Sequence, residues 1–255
     1  MILAIDIGNT SVHFGIFRGV KLVKEWRVAT ARISEYQNIR KRITRYQNIR
    51  KTVVASVVPR VNKIIRKWFP TAEFVNHKNI GIKIKTKKPS EVGVDRLVNA
   101  LAVHKLYGGP AIVVDFGTAT TFDAVSARGE YLGGAIAPGI MLARDTLHER
   151  TAKLPRIKLV APKAVVGRST VEAIRSGLVY GYVAMVEGMV QRIKSSVVRR
   201  LPRATSRGPS SIKVIATGGL APLICKYTKV IDRIDQKLTL KGLKIIGDLS
   251  VRRTE

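Results

Sequence analysis

Two carboxylates in this chain each close an apolar run and open a turn of small and hydroxyl-bearing residues. Asp6 follows Met1-Ile2-Leu3-Ala4-Ile5 and leads into Ile7-Gly8-Asn9-Thr10-Ser11. Asp115 follows Ala111-Ile112-Val113-Val114 and leads into Phe116-Gly117-Thr118-Ala119-Thr120. Glycine and hydroxyl residues after a strand let backbone N–H and side-chain O–H groups approach phosphate oxygens closely. The leading carboxylate would repel phosphate, so its natural partner is a cation or that cation's waters. Magnesium takes only one or two carboxylates besides phosphates. One such turn is equally an ordinary hairpin; two of them facing each other would clamp a polyphosphate.

Two further segments carry chemistry with an open alternative each. Thr217-Gly218-Gly219-Leu220-Ala221 lacks side chains where a base or ribose would lie against backbone, and is also a plain strand-to-helix turn. In Gly93-Val94-Asp95-Arg96 the acid suits a general base toward a hydroxyl and the arginine suits bidentate capture of an anion. Equally, Asp95 suits a helix's first turn, where the dipole favours it, and Arg96 a solvated surface.

The elements that must hold these residues follow from pattern. Met1 to Asp6, Val12 to Phe17 and Leu22 to Val28 read as three strands of an antiparallel meander, turning at Arg18-Gly19. The plan recurs in Ala111 to Asp115, Thr121 to Val125 and Tyr131 to Ala137, turning at Arg128-Gly129. The two aspartates lie 109 residues apart, and each has a turn glycine 13 or 14 residues beyond it, which indicates a duplicated unit. Ser90 is placed to cap a helix through Leu97, Leu101 and Leu106 that stops at Gly108-Gly109-Pro110. Ser169-Thr170-Val171-Glu172 is a capping box opening a long helix to about Leu201, before Pro202. Ile212 to Thr217 reads as a further buried strand. Strands and helices mix in both halves, giving an α/β protein of two similar lobes, residues 1–108 and 109–255, divided near Gly108-Gly109-Pro110. Gly177-Leu178-Val179-Tyr180-Gly181 on the long helix suits either close packing inside one lobe or a dimer seam. The segment Tyr36-Gln37-Asn38-Ile39-Arg40-Lys41 returns ten positions later as Tyr46-Gln47-Asn48-Ile49-Arg50-Lys51, close to three helical turns, so a solvated basic helix with both copies on one face is expected.

Composition sets the outer limits. The chain has 255 residues, 45% of them hydrophobic, which suffices for a sizeable core. No apolar run approaches the roughly 20 residues of a membrane span, and the start lacks the basic leader and cleavage site of a signal peptide. Cys225 stands alone, so no intrachain disulfide forms, and His13, His77, His104 and His148 lack metal-ligand spacing. A cytoplasmic protein with no membrane association is expected. Lys and Arg number 46 against 17 Asp and Glu, a formal charge of +29, which attracts anions of every kind without specifying a fold.

Taken in order, these motifs resemble those of a type III pantothenate kinase. The matching text is Ile5-Asp6-Ile7-Gly8-Asn9-Thr10 (first phosphate motif), Gly93-Val94-Asp95-Arg96 (substrate motif) and Asp115-Phe116-Gly117-Thr118-Ala119-Thr120-Thr121 (second phosphate motif). Gly133-Gly134-Ala135-Ile136-Ala137-Pro138-Gly139 and the adenosine motif Ala216-Thr217-Gly218-Gly219-Leu220-Ala221-Pro222 complete it. The resemblance spans nearly the whole chain. It implies two duplicated RNase H-like lobes of the actin, Hsp70 and sugar-kinase fold, usually as a homodimer. It also implies ATP-dependent phosphorylation of pantothenate to 4'-phosphopantothenate, the first step of coenzyme A biosynthesis, with Mg2+ or another divalent cation and K+ or NH4+. Carried over by position, Asp6, Ile7, Gly8, Asn9, Thr10, Ser11, Val12 and His13 would surround the ATP phosphates, with Asp6 near magnesium. Asp95 would be the base within a substrate loop Gly93 to Arg96, Asp115 would hold the monovalent cation, Thr118 would contact ATP and Thr170 pantothenate. The chain departs from the family at Val94, usually Ala, at Ala173, commonly Ser, and at Thr86-Lys87-Lys88-Pro89, where an aromatic-Asp-Asn-Pro segment is common. Losing that aromatic removes a pantothenate contact.

Two competing functions stand beside it. A kinase of the same superfamily acting on another small alcohol or acid would share the phosphate turns but not Gly-x-Asp-Arg at this spacing. A nucleic-acid-binding or regulatory protein on a retired kinase fold would use basic clusters such as Arg40-Lys41-Arg42, Arg50-Lys51, Arg199-Arg200 and Arg252-Arg253. No helix-turn-helix, zinc finger or aromatic-basic motif supports the latter, although non-specific nucleic-acid binding follows from the charge alone.

Overall fold

The computed structural model describes residues 1–200 and 212–251. The expected helix end at Leu201 and Pro202 and the pair Arg252-Arg253 lie outside the described residues, as do the side chains of Arg199 and Arg200. The chain forms two compact units, the first comprising Met1–Tyr107, Gly129–Tyr131 and Lys237–Glu255, the second Gly108–Arg128 and Leu132–Gln236.

In the first unit β1 (Ile2–Ile7), β2 (Ser11–Arg18) and β3 (Lys21–Ala29) form the antiparallel meander. Next come helix α1 (Gln37–Thr44), β4 (Lys51–Ser56), α2 (Pro59–Trp68), β5 (Glu73–Phe74) and α3 (Val94–Tyr107). β1 is an inner strand, antiparallel to β2 and parallel to β4, and consecutive residues along it are buried, so both its faces are covered and it reads as a continuous apolar run rather than an alternation. Leu3 and Ile5 are fully buried, each stabilising the fold by roughly 1.5–3 kcal/mol.

The second unit repeats the plan with β6 (Ala111–Phe116), β7 (Ala119–Val125) and β8 (Tyr131–Pro138), then α4 (Ile140–Glu149), α5 (Thr170–Arg200) and β9 (Lys213–Thr217). Helix α6 (Ala221–Cys225) and β10 (Arg233–Ile234) follow, then α7 (Leu238–Val251). The sheets run β3-β2-β1-β4-β5 and β8-β7-β6-β9-β10, so both copies order their strands third, second, first, fourth, fifth. β1 and β6 share one burial pattern, with a half-buried aspartate as fifth residue. The turn glycines Gly19 and Gly129 both take left-handed backbone, φ 56° and 79°. This is the duplicated RNase H-like α/β architecture. Helix α7 closes the second copy in sequence but belongs to the first unit, where it packs on α3, β1 and β4.

Three expectations change. Ser90 lies in a separate 3-10 turn, Pro89–Glu91, and does not cap α3; Leu97 N–H instead donates to the Gly93 carbonyl, 3.3 Å, so the helix begins at Val94. Leu97 and Leu101 are buried as expected, but Leu106 is 44% exposed. Only the first copy of the repeated hexapeptide is helical. The second turns at Asn48, φ 66°, and delivers Lys51 into β4, because Arg50 N–H donates to the Met1 carbonyl and pulls the chain alongside β1. Finally, Gly177 and Gly181 have nothing within 4 Å of a Cβ position, so they are not sites of close helix packing within the unit. The capping box at α5 holds in modified form: Glu172 N–H donates to Ser169 Oγ, 3.3 Å, while the Glu172 carboxylate accepts from Arg168 N–H, 2.8 Å, one residue earlier than the pattern predicts.

Candidate active site

In the first unit the turn after β1 is fixed by its own backbone. Gly8 N–H donates to the Ser11 carbonyl, 3.0 Å, Thr30 N–H to the Thr10 carbonyl, 3.0 Å, and Thr30 Oγ1 to the Gly8 carbonyl, 2.7 Å. Asn9 and Thr10 are exposed at its tip, and Asp6 is half-buried at the end of β1. Ile7 and Val12 turn their side chains into the core, so only their backbone is available to a ligand.

His13, opposite Asp6 in the β1–β2 register, is 5% exposed and its ring is already committed. Nδ1 accepts from Arg27 Nη2, 3.1 Å, which leaves the proton on Nε2 for donation to Glu25, 2.9 Å. Burial pushes its pKa down, in keeping with a neutral ring. Lys237 closes the network on Glu25. Sequence reading placed His13 among phosphate ligands; the geometry makes it an internal brace of the hairpin.

Asp95 stands in the first turn of α3. Its Oδ1 accepts from Arg96 N–H, 2.9 Å, and a Cβ at residue 93 would lie 2.6 Å from that oxygen, so glycine is what lets the carboxylate fold back over the helix start. Burial pushes the Asp95 carboxyl above the ordinary carboxylate range, outweighing the lowering by the Arg96 N–H and guanidinium. The Arg96 guanidinium lies 5.9 Å from the ring centre of buried Tyr131, a cation–π contact. Tyr131 is pinned by its backbone, its N–H donating to the Lys83 carbonyl and its carbonyl accepting from Lys85 N–H, both 2.8 Å. Beside that strand-like contact, Thr86 Oγ1 is buried without a hydrogen-bond partner. Tyr131 carried no signal in the sequence, because its link to Arg96 is made by folding.

In the second unit Asp115 occupies the place in β6 that Asp6 has in β1, with Thr121 beside it on β7 and Thr217 on β9. Gly117 N–H donates to the Ala119 carbonyl, 3.1 Å, and Thr118 is exposed at the turn. Gly218, φ 89°, sits against the aspartate: a Cβ there would lie 2.5 Å from Asp115 Oδ1 and 2.6 Å from the Phe116 carbonyl. Gly139 backs the same turn, since any Cβ would overlap the Thr118 carbonyl oxygen. Asp115, Thr118, Gly139 and Gly218 thus converge. Thr170 is exposed at the start of α5, and neighbouring Ala173 is exposed as well. Asp123, fully buried and accepting from Thr121 Oγ1, 3.1 Å, was not singled out in the sequence. Among the described residues no three His, Cys, Asp or Glu side chains gather to hold a metal by themselves, and no helix is long and apolar enough to cross a membrane. Burial pushes the Cys225 thiol up to about 11, which makes it a poor nucleophile.

Comparison with known proteins joins these segments. Residues 2–192 match the sequence model of the type III pantothenate kinase family. The type III pantothenate kinase of Moorella thermoacetica is 45% identical, over 96% of this chain and 98% of that one. Among solved structures, a Baf family protein of Campylobacter jejuni, named as a transcriptional activator, aligns with TM-score 0.64 at 20% identity, covering 98% and 99% of the two chains. The inorganic polyphosphate/ATP-glucomannokinase of Arthrobacter sp. strain KM aligns with TM-score 0.51 at 14% identity, covering 98% of each. At those identities the structural likenesses speak for the fold alone.

Proposed function

Because the chain belongs to the type III pantothenate kinase family, we propose for it the ATP-dependent phosphorylation of pantothenate to 4'-phosphopantothenate, the first step of coenzyme A biosynthesis. The observation that carries this reading is the Gly93–Arg96 turn, where a partly dehydrated carboxylate and an arginine are presented together at the start of a helix. The terminal hydroxyl oxygen of pantothenate attacks the γ-phosphorus of ATP, Asp95 takes the hydroxyl proton, and ADP leaves with the electrons of the broken P–O bond. A carboxylate whose proton affinity is raised by burial is a better base for that proton, and phosphoryl transfer otherwise needs mainly positioning and charge neutralisation. Arg96, steadied on Tyr131, holds the pantothenate carboxylate, and Thr170 adds a hydroxyl contact.

Each unit is assigned its own share of the nucleotide. In the first, the Gly8 to Ser11 turn offers N–H and hydroxyl groups to phosphate. Asp6 fits a magnesium ion that arrives with its phosphates, since that ion needs only one or two protein carboxylates and the described residues form no larger cluster. In the second, Thr118 contacts ATP, while Asp115 Oδ1 and the Phe116 carbonyl, both facing the bare Cα of Gly218, form an oxygen-lined cradle suited to K+ or NH4+. The cations supply neutralisation of phosphate charge. A homodimer and a cytoplasmic location complete the proposal. The dimer is supported by a row of exposed small residues on α5, Gly177, Gly181, Ala184 and Gly188, whose glycines face open space. ADP release measured with ATP, magnesium and potassium, with and without pantothenate, is the test. Turnover must depend on pantothenate and yield one phosphopantothenate per ADP; turnover only with another alcohol would retain the kinase and reject the substrate.

A further inference from the structure

The repeated hexapeptide brought in a basic cluster that the kinase chemistry leaves unused. Arg40 and Lys41 stand on α1 and, with Lys67 in the last turn of α2, line a cleft of 550 Å³ in the first unit. Gln37 and Thr44 add neutral polar groups, and Ile64 and buried Trp68 give it an apolar floor. No carboxylate lines it. None of the three cations has an ion-pair partner among the described residues, and nearby Glu35 is held by Arg32 at 2.7 Å.

Unpaired like charges on a flat, solvated face repel one another weakly and mean little. Gathered in a concavity with low-dielectric walls, they focus a positive potential that an anion relieves. The volume falls within the range of roughly 300–1,000 Å³ typical of small-molecule sites, and the apolar floor suits a ligand with a non-polar body as well as a charged end. We propose that this cleft is a second ligand site, for a small organic phosphate of nucleotide size, separate from the residues assigned to catalysis. It shares no residue with the Asp6–His13 or Gly93–Arg96 segments. Three exposed cations grouped around one half-open cleft fit a compact phosphate ester better than the extended backbone of a nucleic acid, which would need a row of them along a surface.

Equilibrium dialysis of the full chain against labelled AMP tests this, beside the variant Arg40→Gln/Lys41→Gln/Lys67→Gln. The wild type should bind one AMP per chain more than the variant at about 1 mM ligand, while pantothenate-dependent ADP release is the same in both. Trp68 emission, isolated by Trp26→Phe, should change with the same midpoint and lose that change in the variant. Equal AMP binding by the two proteins would overturn the proposal. So would inorganic phosphate competing as well as AMP, which would mean a simple anion sink. If the substitutions instead weaken binding of a single-stranded RNA of about 20 nucleotides and leave AMP untouched, the cleft is a nucleic-acid contact and the proposal fails.

Discussion

The hairpins that carry Asp6 and Asp115 are the same scaffold, with the same strand order, the same burial along the first strand and the aspartate at the same place. They part company where the neighbouring parallel strand ends. Beside Asp6, β4 runs into Ser56 and Val57, and the edge is closed by Val57 N–H donating to the Ile7 carbonyl, 3.1 Å, and by Ser56 Oγ accepting from Val58 N–H, 3.2 Å. Beside Asp115, β9 runs into Thr217 and Gly218, whose left-handed backbone leaves a bare Cα against the carboxylate and the Phe116 carbonyl. One copy uses this position to close the sheet, the other brings a glycine against the carboxylate and the carbonyl. The frame is shared, and a serine-to-glycine difference at matched positions separates the two strand ends. The first unit also carries the Gly93–Arg96 turn, which follows β5 and to which the proposed base belongs.

Substitutions that treat the halves unequally test this contrast. The largest effect belongs to Asp95→Asn, which should lower kcat by roughly 10²–10⁴-fold with little change in KM for ATP, as expected for loss of a general base. Unchanged turnover would remove Asp95 from the chemistry. Gly218→Ala should follow, since the new Cβ meets Asp115 and the φ of 89° is strained for any L side chain. A loss of about 1–3 kcal/mol in denaturant unfolding is expected, together with a weaker response to potassium. Its partner Ser56→Ala should stay within about 1 kcal/mol, having no such carboxylate to clash with. Equal losses at both would erase the distinction.

The raised proton affinity of Asp95 gives a pH-dependent consequence. Between the ordinary carboxylate value and its raised one, the native state holds a proton that the unfolded chain has released, so this group's contribution to stability falls as pH rises through that window. Asp95→Asn, which keeps an acceptor for the Arg96 N–H, should therefore match or exceed the wild-type Tm at neutral pH while flattening that part of the stability profile. The wild-type kcat/KM should rise with pH along a limb set above the ordinary carboxylate range. A Tm lower than wild type at neutral pH would show that the buried carboxylate is not held at a cost. The smallest effect is expected at Ser169→Ala, where loss of the α5 cap should cost about 1 kcal/mol and leave the first unit's hairpin untouched, as hydrogen exchange can verify.

Much of this was legible because it is local. The meanders, the two aspartates and the Gly93–Arg96 motif are patterns of neighbouring residues, and an apolar run ending in Asp-x-Gly reads the same before and after folding. The supports were not legible. Gly139 behind Thr118, Gly218 against Asp115, and Tyr131 under Arg96 meet partners 21, 103 and 35 positions away. Nor does a sequence pattern reveal that α7 completes the second copy while packing in the first unit.

The repeated hexapeptide draws the line most sharply. Identical residues give a helix at Gln37 to Lys41 and a left-handed turn at Asn48, so local preference cannot have chosen between them. In the first copy Ile39 is buried on the inner side of α1. In the second, the Asn48 carbonyl accepts from the Met1 ammonium at 2.7 Å and Lys51 pairs beside Ile2, so bonds to the chain's beginning outweigh a helical preference worth only tenths of a kcal/mol per residue. The sequence alone determined the duplicated strands and the aspartates near their ends. Tertiary contacts decided which backbone each ambiguous segment took and which glycine came to lie against a carboxylate, because those choices rest on partners that only folding brings near.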